Sequence, residues 1–232
     1  MWLISSSVGR KVVMSVTGLA LILFLTFHMV MNLVAIISAD SYNAICAFLG
    51  TNWYALVGTM GLAALFVIHI FYALWLTLQN RRARGSERYA VTAKPKNVEW
   101  ASQNMFVLGL IVILGLGLHL LNFWYNMQFA ELREIHETEG LSPTDGAGFI
   151  GRTFSNPIYS ALYLVWLAAI WLHLTHGFWS ALQTLGQNNK IWFNRLKLIS
   201  NIYSTLIILG FASVVVWYFA KSLLCGNACC SL

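Results

Sequence analysis

The sequence predicts an all-α membrane protein: a bundle of five transmembrane helices, N-terminus cytoplasmic and C-terminus external. Three observations predict it. First, 59% of the 232 residues are hydrophobic, 9% are charged and the mean hydropathy is +0.69. That leaves too little charge to coat a water-soluble domain. Second, five apolar runs reach the roughly 20 residues a helix needs to cross about 30 Å of hydrocarbon. Third, eleven of the fourteen basic residues fall between or before these runs on one side of the chain's path. Short alternating segments, the mark of a transmembrane barrel, are absent.

The elements follow in order as one domain, residues 1–232. Arg10 and Lys11 precede the first span, Val12–Ile37. That run is too long for a cleaved signal peptide, and no small-residue cleavage site ends it. Ser38–Asn52 is the first external connection, with a short interfacial helix over Asp40–Leu49. The second span is Trp53–Leu78. Gln79–Ser102 links it to the third and carries Arg81, Arg82, Arg84, Arg88, Lys94 and Lys96, with Pro95 as a breaker. The third span, Met105–Tyr125, leads into a long external excursion, Asn126–Asn156. This reads as helical through Phe129–Glu139, then turning at Gly140, Pro143 and Gly146–Gly148; it either covers the external end of a site or is simply solvated. The fourth span is Pro157–Leu185. Lys190, Arg195 and Lys197 separate it from the fifth, Leu198–Leu223.

The basic side is the cytoplasmic one by the positive-inside rule. Asp40, Glu131, Glu134, Glu137, Glu139 and Asp145 lie on the other side. The net charge of +6 is therefore a topology signal, not a nucleic-acid footprint. The basic face also offers a docking surface to a soluble partner. Cys46, Cys225, Cys229 and Cys230 lie outside, where disulfides are permitted. Their spacing matches no common zinc or haem-attachment pattern, and they receive no function. The last four residues resemble a prenylation box, but prenylation acts on a cytosolic tail.

Four histidines, His28, His69, His119 and His173, sit in four different spans. An ionisable ring in hydrocarbon is costly and persists where a partner or ligand compensates it. Counting about 1.5 Å per residue from the basic anchors puts His28 and His119 deep, about 27 Å along their helices. His69 and His173 lie shallower, at about 18–20 Å. Two pairs at two depths suit two bis-histidine haems, whose closed coordination favours electron transfer. Zinc or copper would need ligands converging on one point. A proton relay would want acidic partners, and no Asp or Glu lies inside the spans. Any one of these rings alone could merely hydrogen-bond a neighbouring helix. His136 belongs to the external acidic stretch and reads as a surface residue. His176 is one turn from His173 on the same face and is the alternative ligand.

The chain resembles the dihaem cytochrome b membrane subunit of succinate:quinone oxidoreductases (succinate dehydrogenases and fumarate reductases), in its single-chain, five-helix form. The residues that carry the resemblance are Ser7-Val-Gly-Arg10-Lys11 leading to Thr17-Gly18, and His28-Met-Val-Met-Asn32 in the first span. His69-Ile-Phe-Tyr72, His119 and His173-Leu-Thr-His-Gly177-Phe-Trp-Ser180 follow in the next three. The family's fourth-span ligand is followed four residues later by Gly, which selects His173 over His176. The resemblance pairs His28 with His119 on a distal b haem and His69 with His173 on a proximal one, so that the bundle encloses two b haems. It implies a multi-pass protein of the prokaryotic cytoplasmic (inner) membrane. Its chain would anchor an iron–sulfur subunit and a flavoprotein (FAD) subunit on the cytoplasmic face and pass electrons between membrane quinone, menaquinone by family branch, and the iron–sulfur subunit. Dicarboxylate chemistry would belong to the flavoprotein, and the complex could dimerise.

Arg10, Lys11 and Arg81 are candidates for the haem propionates; Asn32 and Asp40 are candidates for the quinone. Gly58, Gly61, Gly115 and Gly117 are candidates for close helix or haem approach. One departure stands out. Some fumarate reductases of this type carry a Glu two residues before the fourth-span ligand for a transmembrane proton path; here the position holds Trp171, which cannot carry protons. The competing readings are the cytochrome b subunit of a hydrogenase, a formate dehydrogenase or a bc complex, a haem-free transporter, and a haem-free membrane anchor. In bc-type cytochromes paired ligands share two helices about 14 residues apart, a spacing no span shows here.

Overall fold

A computed structural model of the chain describes residues 6–84, 99–187, 189 and 191–225. Arg88, Lys94, Pro95, Lys96, Lys190, Cys229 and Cys230 lie outside the described residues. Helix α1 (Ser7–Ile37) starts where the Ser6 hydroxyl accepts from the Gly9 amide at 2.9 Å. Ser38 ends α1 with an extended backbone and caps the next helix, α2 (Ala39–Thr51), accepting from the Ser41 amide at 3.2 Å. Asp40 occupies the first turn of α2, where a negative charge meets the positive helix end. Then come α3 (Trp53–Arg84), the single turn α4 (Trp100–Gln103) and α5 (Met105–His119). α5 runs on as a π-helix over Leu120–Phe129 and a last α-turn, α6 (Ala130–Leu132). α7 (Gly146–Ser155) follows, then α8 (Pro157–Thr184) and α9 (Trp192–Cys225). Asn156 caps α8, with Pro157 at its first position, and Gly186 at φ +105° turns the chain away beyond its end.

Five helices are long and apolar enough to cross a membrane: α1, α3, α5 with its continuation, α8 and α9. They coincide with the five expected spans, and most run further at one end. α3 continues to Arg84, so the first residues of the expected linker are helical; α9 begins at Trp192. The expected short helix at Asp40–Leu49 is α2.

The external excursion differs from expectation in two places. Helix does not extend through Phe129–Glu139: it stops at Leu132, and the chain turns through Glu134 at φ 55°. Gly146–Gly148, expected as a turn, opens helix α7. Asp145 supplies the reason, since its carboxylate accepts from the Gly148 amide at 2.9 Å and caps the helix. The missing side chain at Gly146 matters as well: a Cβ there would collide with Cys46 Sγ and would lie 2.8 Å from the Tyr42 ring. α7 then buries Phe149, Ile150 and Phe154 in the bundle.

α8 and α9 make the most extensive helix pair. Small buried hydroxyl residues let them approach, with Ser200 and Ser204 fully buried and Ser200 Oγ donating to the Thr175 carbonyl at 3.3 Å. α1 packs against α3, α8 and α9, while α5 packs on α8. α3 leans chiefly on α1 and is the peripheral member. Inside, Ile22, Tyr163, Leu167, Ile170, Val214 and Tyr218 belong to one core. At one end of the bundle α2 and α7 clasp each other. Asn43 Nδ2 donates to Asp145 at 2.7 Å, and Asn43 Oδ1 accepts from the Ala147 amide at 2.9 Å.

Candidate functional site

Helices α1 and α5 bring His28 and His119 together, with ring centroids 5.8 Å apart and planes crossing at 84°. That gap is of the size two metal–nitrogen bonds of about 2 Å each, plus the ring radii, would fill. An aromatic shell surrounds the pair. Phe24 stacks on His28 at 5.5 Å, and Phe211 of α9 lies at 5.7 Å. His119 meets Phe123 at 5.2 Å and Trp166 of α8 at 5.8 Å. Trp166 is itself fixed, because its Nε1 donates to the Val112 carbonyl at 3.1 Å and its ring fills the space a Cβ at Gly115 would need. Of the four glycines expected to permit close helix or haem approach, Gly115 admits a neighbouring helix's side chain. A Cβ at Gly58, Gly61 or Gly117 would meet nothing within 4 Å.

The other two rings come from α3 and α8 and approach α1 and α5 further along those helices. His69 of α3 reaches α1 at Thr17, its Nδ1 3.1 Å from the hydroxyl. That hydroxyl has one proton and gives it to the backbone, at 2.9 Å from the Val13 carbonyl. With that proton on the backbone, the ring nitrogen is the donor and His69 Nε2 is left bare, the tautomer a metal ligand needs. Gly18 makes room for the ring, since a Cβ there would lie 3.2 Å from His69 Cε1. His173 of α8 faces α5 at Gly109, where a Cβ would lie 4.0 Å from its Cε1. Its Nδ1 is buried and has no hydrogen-bond partner.

The spacing of these contacts sets two levels. Thr17 precedes His28 by eleven residues on α1, about 16 Å along the axis, and Gly109 precedes His119 by ten on α5, about 15 Å. On α1 and on α5 the lower ring thus meets the helix at about the same distance from the level of His28 and His119.

His176 is turned elsewhere. Its Nδ1 lies 3.4 Å from Glu99, its ring meets Trp179 edge-on at 5.0 Å, and Lys197 Nζ approaches the same carboxylate at 2.7 Å. Burial pushes the Glu99 carboxyl up, but Lys197 and His176 outweigh it and hold it below its usual value. A depressed carboxyl stabilises the fold at neutral pH, and that stabilisation fades as pH falls through the folded-state value. Half-exposed, the cluster contributes under about 1 kcal/mol. Glu99→Gln is accordingly expected to lower the melting temperature slightly at neutral pH, with the difference vanishing in acid; thermal scans across pH check it.

The remaining candidates divide. Arg10 donates to the Gln79 amide oxygen at 2.7 Å, and its guanidinium lies 5.4 Å from the Trp75 ring centre. Arg81 covers the Phe106 ring of α5 at 5.2 Å, and Lys11 is exposed. Asn32 donates to the His28 carbonyl at 2.8 Å and accepts from Tyr42 at 3.3 Å, while Asp40 is exposed at the start of α2. Trp171 is directed away from both pairs, its Nε1 donating to Thr205 at 2.9 Å. His136 is exposed, as expected. Cys46 is a free thiol, which burial pushes up to about 11, so it stays protonated and unreactive at neutral pH.

Sequence reasoning missed three participants. Thr17 sits three turns from His28 on the same helix, a spacing that could have marked it as facing the site. Trp166 and Tyr42 carried no local signal, because their partners are remote in sequence.

Thr17→Val keeps the shape and removes the acceptor for His69. Losing an outer-shell bond of this kind costs roughly 10–100-fold in metal-site affinity. Retention, through detergent dilution, of a metal group held by His69 is the measurement that checks it. Comparisons with protein-family models, with curated proteins and with solved structures find no match to this chain.

Proposed function

We propose that the chain is the dihaem cytochrome b membrane subunit of a succinate:quinone oxidoreductase. The observation that carries this reading is the meeting of His28 and His119 from separate spans, 5.8 Å between centroids, with a second histidine level about 15 Å away on both helices. His28 and His119 would hold the distal haem, and His69 and His173 the proximal one. The bare Nε2 of His69 and the unpartnered, buried Nδ1 of His173 fit that role. Bound between two imidazoles each, the haems would supply one-electron chemistry with no open coordination position.

The chain's own groups do the rest. Thr17 fixes the tautomer and orientation of His69. Phe24, Phe123, Trp166 and Phe211 exclude water from the distal pair and keep its surroundings apolar, which sets how readily charge is accepted there. Arg10, Lys11 and Arg81 gather positive charge at one end of the bundle, where propionates and an iron–sulfur subunit with its flavoprotein partner would be received. Asn32, held by Tyr42, lies one turn beyond His28 and would offer a polar contact to a quinone headgroup, and Asp40 would exchange protons at the surface. With Trp171 bonded to Thr205, no proton path runs through that position. The basic end is the cytoplasmic one, in a prokaryotic inner membrane.

The test is a reduced-minus-oxidised absorption spectrum of the purified chain. A b-type signal equivalent to two haems per polypeptide supports the reading. A colourless protein overturns it.

A further inference from the structure

Along the outer face of α3, Phe71, Leu74, Trp75, Leu78, Gln79 and Arg82 line a groove of about 430 Å³. Their spacing places all six on one side of the helix. α3 leans chiefly on α1 and is the least buried of the five spans, so this face is open. From Phe71 to Arg82 the groove runs eleven residues, about 16 Å. That is about half the roughly 30 Å hydrocarbon thickness, the depth of one leaflet. Its inner part is apolar and aromatic; its outer end is Gln79 and the exposed Arg82.

Among the described residues, no carboxylate pairs with the basic side chains at that end. Behind Trp75 and Gln79 stands Arg10, with its Nε buried and lacking an acceptor. Lys11 follows it, exposed. Among the described residues the ion pairs engage Arg152, His176 and Lys197, and none engages Arg10, Lys11, Arg81 or Arg82. Arg81 points away from the groove toward Phe106 of α5, which leaves Arg82 as the cation at the groove's mouth and Arg10 as the charge beneath it.

We propose that this groove is a binding site for an anionic phospholipid of the bilayer. The acyl chain lies along Phe71, Leu74 and Leu78, Trp75 sits near the glycerol level, and the phosphate is received by Arg82 with Gln79. A soluble protein fits poorly, because about two-thirds of the groove's length lies on the apolar span Trp53–Leu78. The inference rests on the five-span architecture and is independent of the haem reading.

The experiment uses the full chain in phosphatidylcholine vesicles containing a minor share of either phosphatidylglycerol or phosphatidylcholine with brominated acyl chains. The signal is the Trp75 fluorescence, taken as wild type minus Trp75→Phe. A basic side chain near the surface favours an anionic lipid about fivefold. Brominated phosphatidylglycerol is therefore expected to quench Trp75 at about one-fifth the concentration that brominated phosphatidylcholine requires. Arg82→Gln is expected to remove most of that preference and Arg82→Lys to keep it. Equal quenching by the two lipids overturns the proposal and leaves the groove to ordinary boundary lipid or to a protein. A preference that survives both Arg82→Gln and Arg10→Gln overturns it as well. The visible spectrum of Arg82→Gln stays that of the wild type, so a failed haem assignment and a failed lipid site give different results.

Discussion

On the proposed dihaem reading, His173→Ala is expected to lose one of two haems per polypeptide, halving the b-type absorbance, while His176→Ala keeps both. The two rings are one turn apart, and geometry separates them. His176 spends its Nδ1 on Glu99 and its ring edge on Trp179. His173 faces Gly109 of α5 with a buried nitrogen that no protein group satisfies. A buried polar atom without a partner is costly, and such atoms in native structures call for an explanation, such as a bound ligand. Removing the ligand side chain leaves an iron with one imidazole, which is expected to be lost on purification or to become high-spin. Haem-to-protein ratio and the spin-state bands of the oxidised spectrum are the measurements. Loss of a haem from His176→Ala alone would transfer the ligand role to that residue.

Phe149→Ala is expected to destabilise the external end of the bundle by about 3–5 kcal/mol, the range for deleting a buried aromatic ring. Phe149 is 1% exposed, in a helix that packs against α2, α8 and α9 at once. The cavity would sit in a fully buried position of α7. The distal histidine pair lies beneath this region, through Asn32 and Tyr42 on one side and Phe123 and Phe154 on the other. The variant should therefore show a lower melting temperature and faster proteolysis at 133–145, with the proximal pair unaffected. Thermal denaturation followed in the near ultraviolet checks the first part.

Much of this was legible in the sequence because the bilayer enforces it. A spanning helix has to satisfy its own backbone and be apolar along its length, so the five spans stand out as runs. Depth was legible too, because a fixed rise per residue converts sequence distance into height, and His28 and His119 do meet. What stayed hidden depends on contacts. The π-helix over Leu120–Phe129 has no composition of its own; it is a hydrogen-bonding pattern, supported by the buried Asn126 side chain donating to the Leu121 carbonyl at 3.1 Å. Gly146-Ala-Gly148 reads locally as a turn and becomes a helix start through the Asp145 cap and the close packing of Tyr42 and Cys46. The link from His176 to Glu99 spans 77 residues and offers no periodicity to follow. Gly58, Gly61 and Gly117 look like close-packing positions and face open space, since glycine is common in membrane helices for reasons unrelated to any one contact.

The pairing of the rings is the claim on which the account stands. Redox titration of the b-type absorbance in His28→Ala, His119→Ala, His69→Ala and His173→Ala tests it most directly. The account predicts that His28→Ala and His119→Ala lose the same redox component, and that His69→Ala and His173→Ala both lose the other. Loss of different components from His28→Ala and His119→Ala would contradict it.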